Sequence, residues 1–189
     1  MTSQTWRHLD PDERMTYMVG RVVRSAVELD GMSREAFASL SGDDPRLAEQ
    51  ALQHFVPRIR KMEDLLTGAP LNSSEIEHAG AALEAARHSY EKRNRFIHDD
   101  LIQGSSDEWF MNRFDRKPGA VREAQRTVSL TALEECDRDL RRAAWRMWAL
   151  HKLLRTSRTG GSVDERRNWE TLLADRFDLH PGNTVSYSH

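Results

Sequence analysis

Apolar residues recur every three or four positions through most of the chain, and that spacing predicts a succession of helices. Met15, Met18, Val19, Val22, Val23, Ala26 and Val27 form one stripe, opened by Asp10-Pro11 with Asp12 and Glu13 at the positive end of the helix dipole. Gly31 is expected to interrupt it, Ser33 to cap a short second piece through Phe37 and Leu40, and Gly42-Asp43-Asp44-Pro45 to close that piece. Leu47, Ala51, Phe55, Ile59, Met62 and Leu66 predict a helix over 46–66, kinked at Pro57 and ended by Thr67-Gly68-Ala69-Pro70.

Ser73 or Ser74 then starts a long helix in which Ile76, Leu83, Tyr90 and Ile97 recur at sevens, joined by Ala79, Ala86 and Leu101, a face suited to a bundle interior. Ala81, Ala82, Ala85 and Ser89 make a second, small-residue face that invites a close neighbour. Between Gly104 and Val128, turn residues alternate with Trp109, Phe110 and Phe114, which predicts two short strands or an irregular lobe. Thr131 with Glu134 has the pattern of a capping box, and Leu133, Cys136, Leu140, Ala143, Met147, Leu150 and Leu154 trace the last long helix.

Thr156 to Ser162 reads as a linker, Trp169, Leu172, Leu173 and Phe177 as a short amphipathic helix, and the chain from His180 as a disordered tail. The expected fold is all-α: a four-to-five-helix up-down bundle over residues 1–155 with an irregular lobe around 104–128, a flexible linker over 156–163, and a short helix and tail over 164–189.

Length and charge narrow the picture. A chain of 189 residues has room for one continuous core and would be cramped as two domains. The formal net charge of −2 offers phosphates no general attraction, so a nucleic-acid partner has to meet a local basic patch. No run of apolar residues is long enough to span a bilayer, and Met1 to Leu9 lacks the pattern of a signal peptide, so a cytoplasmic location away from membranes is expected. Cys136, the single cysteine, excludes an intramolecular disulfide and a cysteine-based zinc cluster within one chain, and its place on an apolar face suggests packing.

The stretch Tyr90-Glu91-Lys92-Arg93-Asn94-Arg95-Phe96-Ile97-His98-Asp99-Asp100 gathers the side chains that metal-independent RNA cleavage requires. Arginine stabilises charge on a phosphoryl group, histidine moves a proton near neutral pH, and an amide orients either of them. On a helix, Asn94 and His98 lie about 40° apart, with Arg87 and Glu91 on the same polar edge, whereas Arg93 lies about 140° from His98. Two copies of this helix packed about a twofold axis would bring both edges to one cleft.

Arg93-Asn94-Arg95-Phe96-Ile97-His98 resembles the arginine, polar residue, three variable residues, histidine signature of the HEPN superfamily. The resemblance implies a helical bundle that forms a homodimer and acts as a metal-independent endoribonuclease of toxin–antitoxin or phage-defence type, needing no cofactor. Arg93 and His98 would be the catalytic pair and Asn94 the orienting residue; Arg87, Glu91 and Arg95 beside them are the candidate contacts to the RNA substrate. A cognate inhibitor protein would be a further partner. His98 would act as general base or acid while the ribose 2′-hydroxyl attacks the neighbouring phosphate, leaving a 2′,3′-cyclic phosphate, and DNA, lacking that nucleophile, would resist.

Plainer readings stand beside this one. His98 suits a helix C-terminus, Arg93 has Glu91 or Asp100 as ordinary ion-pair partners, and Asn94 is able to bridge backbone groups. His98-Asp99 also resembles the pair of HD-domain metal phosphohydrolases, with His54, His78 and His88 and Asp137 or Asp139 as further donors. Arg122, Arg126, Arg138, Arg141, Arg142 and Arg146 make either an RNA-facing patch or, with the interleaved acids, a salt-bridged face; Trp145 and Trp148 suit a helix contact. The leading competitor to the nuclease is a non-catalytic helical protein that binds a nucleotide or protein partner.

Overall fold

In the computed structural model, residues 8–42, 54–98, 100–103, 109–113 and 124–175 are described. Helix α1 (Pro11–Ser41) starts where the sequence indicates: Asp10 Oδ1 accepts the Glu13 N–H at 2.8 Å, and Glu13 Oε2 accepts the Asp10 N–H at 3.2 Å. It then runs unbroken through Gly31, contrary to the predicted interruption. A glycine inside a helix costs only about 1 kcal/mol relative to alanine, and the burial of Leu29, Ala36 and Phe37 on either side outweighs it. Ser33 caps nothing; it lies inside α1, where its Oγ donates to Asp30 O at 2.8 Å and accepts from Arg58 Nε at 3.1 Å. Val27, expected in the apolar stripe, is 66% exposed.

Helix α2 (Phe55–Leu66) keeps the predicted apolar face, with Phe55, Ile59, Met62 and Leu66 buried, while residues 46–53 lie outside the described residues. Pro57 introduces no kink because it falls in the first turn, where a backbone N–H has no helical acceptor. Arg58, fully buried, fastens α2 to α1 through an ion pair with Asp30.

Helix α3 (Ser73–His98) is capped by Asn72, one residue before the predicted serines: Asn72 Oδ1 accepts the Glu75 N–H at 2.9 Å and Glu75 Oε2 returns the bond at 2.8 Å. Its buried line runs through Glu75, Ala79, Ala82, Ala86, Ser89 and Phe96, with Leu83 beside it, so Ile76, Tyr90 and Ile97 are only half-buried. Leu101, predicted on this helix, belongs to a strand.

Where two short strands or an irregular lobe were expected, the strands form, and with one more before them they make an antiparallel meander in the order β1 (Asp100–Gln103), β2 (Trp109–Arg113), β3 (Ala124–Val128). Leu101 pairs with Met111, and Met111 with Arg126. Aromatic and β-branched residues fit a pleated surface, which accounts for strands at Leu101-Ile102, Trp109-Phe110 and Thr127-Val128. Residues 104–108 and 114–123 lie outside the described residues. Val128 enters the helical core and half-buried Trp109 packs against it, so the meander is tied to the bundle.

Helix α4 (Leu130–Thr159) is capped by Ser129, whose Oγ accepts the Ala132 N–H at 3.1 Å, in place of the predicted Thr131. Leu133, Cys136, Leu140, Met147, Leu150, Leu153 and Leu154 are all buried, and α4 packs against α1, α3 and α5 (Val163–Leu173), which makes it the centre of an all-α bundle. The expected linker is ordered. Thr156 to Thr159 completes α4, Gly160 ends it in the left-handed region (φ 71°), and Ser162 caps α5 at once. Phe177 and the tail from His180 lie outside the described residues.

Helix α5 is clamped to the start of α3, where Arg166 places Nε and Nη2 each 2.5 Å from the two oxygens of fully buried Glu75. Burial by itself raises the Glu75 carboxyl, but the Arg166 fork and the Asn72 amide outweigh it and leave the group below its ordinary value of 4.5. A carboxyl lowered by folding contributes stability that is whole above its unfolded value and is lost as pH falls through the lower folded one. Urea unfolding measured from pH 7 down to pH 3 should therefore weaken more steeply in the wild type than in Glu75→Gln, with the two curves diverging below about pH 4.5; parallel curves would contradict the clamp.

Candidate functional site

Arg93 follows Ser89 by four residues and precedes Phe96 by three, so its Cα belongs to the line along which α3 faces the bundle. Its guanidinium does not stay there. Nη1 donates to Asn94 Oδ1 at 2.8 Å, and the group lies 5.3 Å from the centre of the Tyr90 ring, on the side of the helix where the polar edge begins. Asn94 stands about 100° around the helix from Arg93, so the guanidinium is drawn off the buried line toward that side.

Tyr90 is itself fixed. Its ring stacks on Phe55 of α2 with centroids 4.1 Å apart and planes 12° from parallel, so α2 supplies the floor on which the Arg93 guanidinium rests. Sequence spacing showed Tyr90 only as part of an apolar stripe; the available signal was its place three residues before Arg93 on one helical face. On the other side, Lys92 Nζ reaches Asp139 Oδ2 at 3.0 Å and ties this turn of α3 to α4.

Among the described residues no carboxylate lies within ion-pair distance of Arg93, and its buried Nε has no hydrogen-bond acceptor. Of the two ordinary partners considered from sequence, Glu91 pairs instead with Arg87 at 3.5 Å, and the side chain of Asp100 lies outside the described residues. Asn94 is engaged through its side-chain oxygen with Arg93. Arg95 is exposed. Arg87 also lines a shallow groove of about 350 Å³ with Ala81, Glu84, Ala85 and His88 on the outer side of α3. A second cleft, of about 300 Å³, lies between the start of α1 and strands β2 and β3 and is lined in part by Met15, Trp109 and Val128. His98 is the last residue of α3; its side chain lies outside the described residues, as does any contact it makes with Asn94.

The donors considered for an HD-type metal set are dispersed. His54 precedes α2, His78 lies 3.8 Å from Glu170 of α5, and His88 borders the outer groove. Asp137 is buried among Arg21, Arg141 and Ser25, whose Oγ donates to it at 2.6 Å. Among the described residues no three His, Cys, Asp or Glu side chains come together as metal ligands. Of the arginines in the proposed patch, Arg141 pairs with Asp137 and Arg142 with Asp175 at 2.5 Å, as in the salt-bridged reading, Arg146 donates to Leu173 O at 2.8 Å, and Arg122 and the side chain of Arg126 lie outside the described residues. Trp148 meets Trp145 of its own helix and Trp169 of α5 edge-on, the latter a contact between helices.

Comparison of the chain with protein-family models, with curated proteins and with solved structures gave no match. Among the described residues no helix is long and apolar enough to cross a membrane.

Cys136 is fully buried on α4, close enough to Lys92 and Arg93 to feel their charge. Desolvation raises the thiol to about 12, and the two cations only partly oppose that rise. A thiol-specific disulfide reagent at pH 8 is therefore expected to leave the folded chain unlabelled and to react fully once urea unfolds it. Rapid labelling of the native protein would show that this part of the α3/α4 contact is open.

Proposed function

We propose that the chain is a metal-independent endoribonuclease whose working groups are Arg93 and His98, with Asn94 as the residue that orients them. The observation that carries this reading is the state of Arg93: a half-buried guanidinium leaning toward the Asn94 edge, supported by Tyr90 and bonded to an amide instead of a carboxylate among the described residues. A guanidinium neutralised by an acid has little to offer a phosphate. One bonded to a neutral amide keeps its full charge, and an anion that supplies the missing acceptor gains a charge-assisted bond.

In the reaction the ribose 2′-hydroxyl attacks the adjacent phosphorus, the P–O5′ bond breaks, and the products carry a 2′,3′-cyclic phosphate and a free 5′-hydroxyl. His98, the last residue of α3, serves as the acid–base group: the proton leaves the 2′-hydroxyl as it attacks and one is returned to the departing O5′. Arg93 stabilises the charge that grows on the non-bridging oxygens. Asn94 precedes His98 by one helical turn, and its Oδ1 accepts from Arg93 Nη1, which suits a positioning residue. Arg87, Glu91 and Arg95 beside these residues serve as contacts for RNA. RNA as substrate, a second copy of the chain and an inhibitor protein are companions that the HEPN resemblance implies.

Purified protein should cleave single-stranded RNA and spare matched DNA, with no loss of rate in chelator. Arg93→Ala and His98→Ala should each lower the rate by about a hundredfold or more with the helical circular dichroism unchanged. Chelator-sensitive hydrolysis would overturn the proposal in favour of metal chemistry. A folded wild-type protein inert toward every RNA offered would overturn it in favour of a binding role.

A further inference from the structure

Helix α1 carries a second periodic pattern, on the face it turns away from α4. Glu13, Tyr17, Gly20, Arg24, Val27, Gly31, Arg34 and Ala38 follow one another at alternating spacings of four and three, the spacing of a helix-pairing seam. Among the described residues Tyr17 and Val27 are two of the three large hydrophobic side chains left exposed, at 44% and 66%. Gly20 and Gly31 sit in the helix interior where an added Cβ would meet nothing within 4 Å, so nothing described in this chain requires glycine at either place. Glycine there lowers helix stability and permits another backbone to come close.

We infer that this face is the docking surface for a second copy of the chain, the two α1 helices crossing antiparallel about a twofold axis at the level of Ser25 and Ala26. The seam is its own complement under that operation. Gly20 falls opposite the partner's Gly31, Arg24 opposite the partner's Val27, and Tyr17 opposite the partner's Arg34. Charge selects the occupant. Arg24 and Glu28 are exposed and neither has an ion-pair partner among the described residues, although they are four residues apart on one helix. Across the axis each lies within one residue of facing the partner's opposite charge, so one arrangement forms the Arg24–Glu28 pair twice. With 31 residues α1 is about 46 Å long, enough to continue the contact on both sides of the crossing. None of the residues of this face belongs to the Arg93-Asn94-His98 motif on α3, so the surface and the nuclease reading succeed or fail separately.

Sedimentation of the full chain at rising concentration provides the test. The wild type should be a dimer. Arg24→Glu or Glu28→Arg alone sets two like charges against each other twice and should raise the dissociation constant about tenfold or more, while the double exchange Arg24→Glu/Glu28→Arg should return it to near the wild-type value. Val27→Glu should give a folded monomer. A wild type that stays monomeric at high micromolar concentration overturns the inference. So does a dimer that the single charge reversals and Val27→Glu leave intact, because its interface would then lie on another face.

Discussion

A charge taken out of water must meet an opposite charge, and this bundle satisfies that requirement at one helix interface after another. Arg21 of α1 meets buried Asp137 of α4, buried Arg58 of α2 meets Asp30 of α1, and Arg166 of α5 meets buried Glu75 of α3. Such pairs add little net stability over apolar packing, but losing one partner is costly because it strands the other charge. They act as registers, each fixing how far one helix slides along its neighbour, while the apolar face of α4 supplies the cohesion. Arg93 departs from this pattern. It starts from the buried line of α3 and, among the described residues, has an amide and an aromatic ring where the other interfaces place a carboxylate.

That departure gives the motif its chemical content. An arginine and a histidine five residues apart on a helix point in different directions, and the short motif alone contains nothing that reconciles them. Packing between helices sets the direction of the arginine: Phe55 holds Tyr90, Tyr90 holds the guanidinium, and Asn94 draws it off the buried line. The anion site of the proposed nuclease therefore depends on the α2/α3 contact as much as on the motif itself, and the chain that positions it passes through residues that are otherwise ordinary core.

Much of the fold was legible in the sequence because burial imposes periodicity. The apolar lines of α1, α2 and α4 were read at nearly every position, and the capping pair at Asp10 and Glu13 marked the first helix start. What failed were inferences from single residues. Gly31 and Pro57 suggested a break and a kink, but neighbouring burial carries α1 past the first, and the second falls in a first turn that has no use for its N–H. Thr156 to Ser162 looked like a linker from composition, yet the Glu75–Arg166 fork, formed by residues 91 apart, turns it into a tight corner. Of the meander after α3, two short strands were one of the two expectations; β1 and the pairing were hidden, since the strands are four or five residues long and separated by turn chemistry. Within the site, the motif residues were named from sequence; the Tyr90–Phe55 support was not, because it joins two helices.

The central claim is that the Arg93 guanidinium and the His98 imidazole converge on one phosphodiester. The most direct measurement is NMR of the full chain, with the histidine rings isotopically labelled, titrated with a 2′-O-methyl oligoribonucleotide that binds without being cleaved. The account predicts a rise in the His98 pKa on binding, a phosphorus shift in the bound RNA, and loss of both in Arg93→Gln while the fold is retained. A His98 titration curve that saturating RNA leaves unmoved would contradict it.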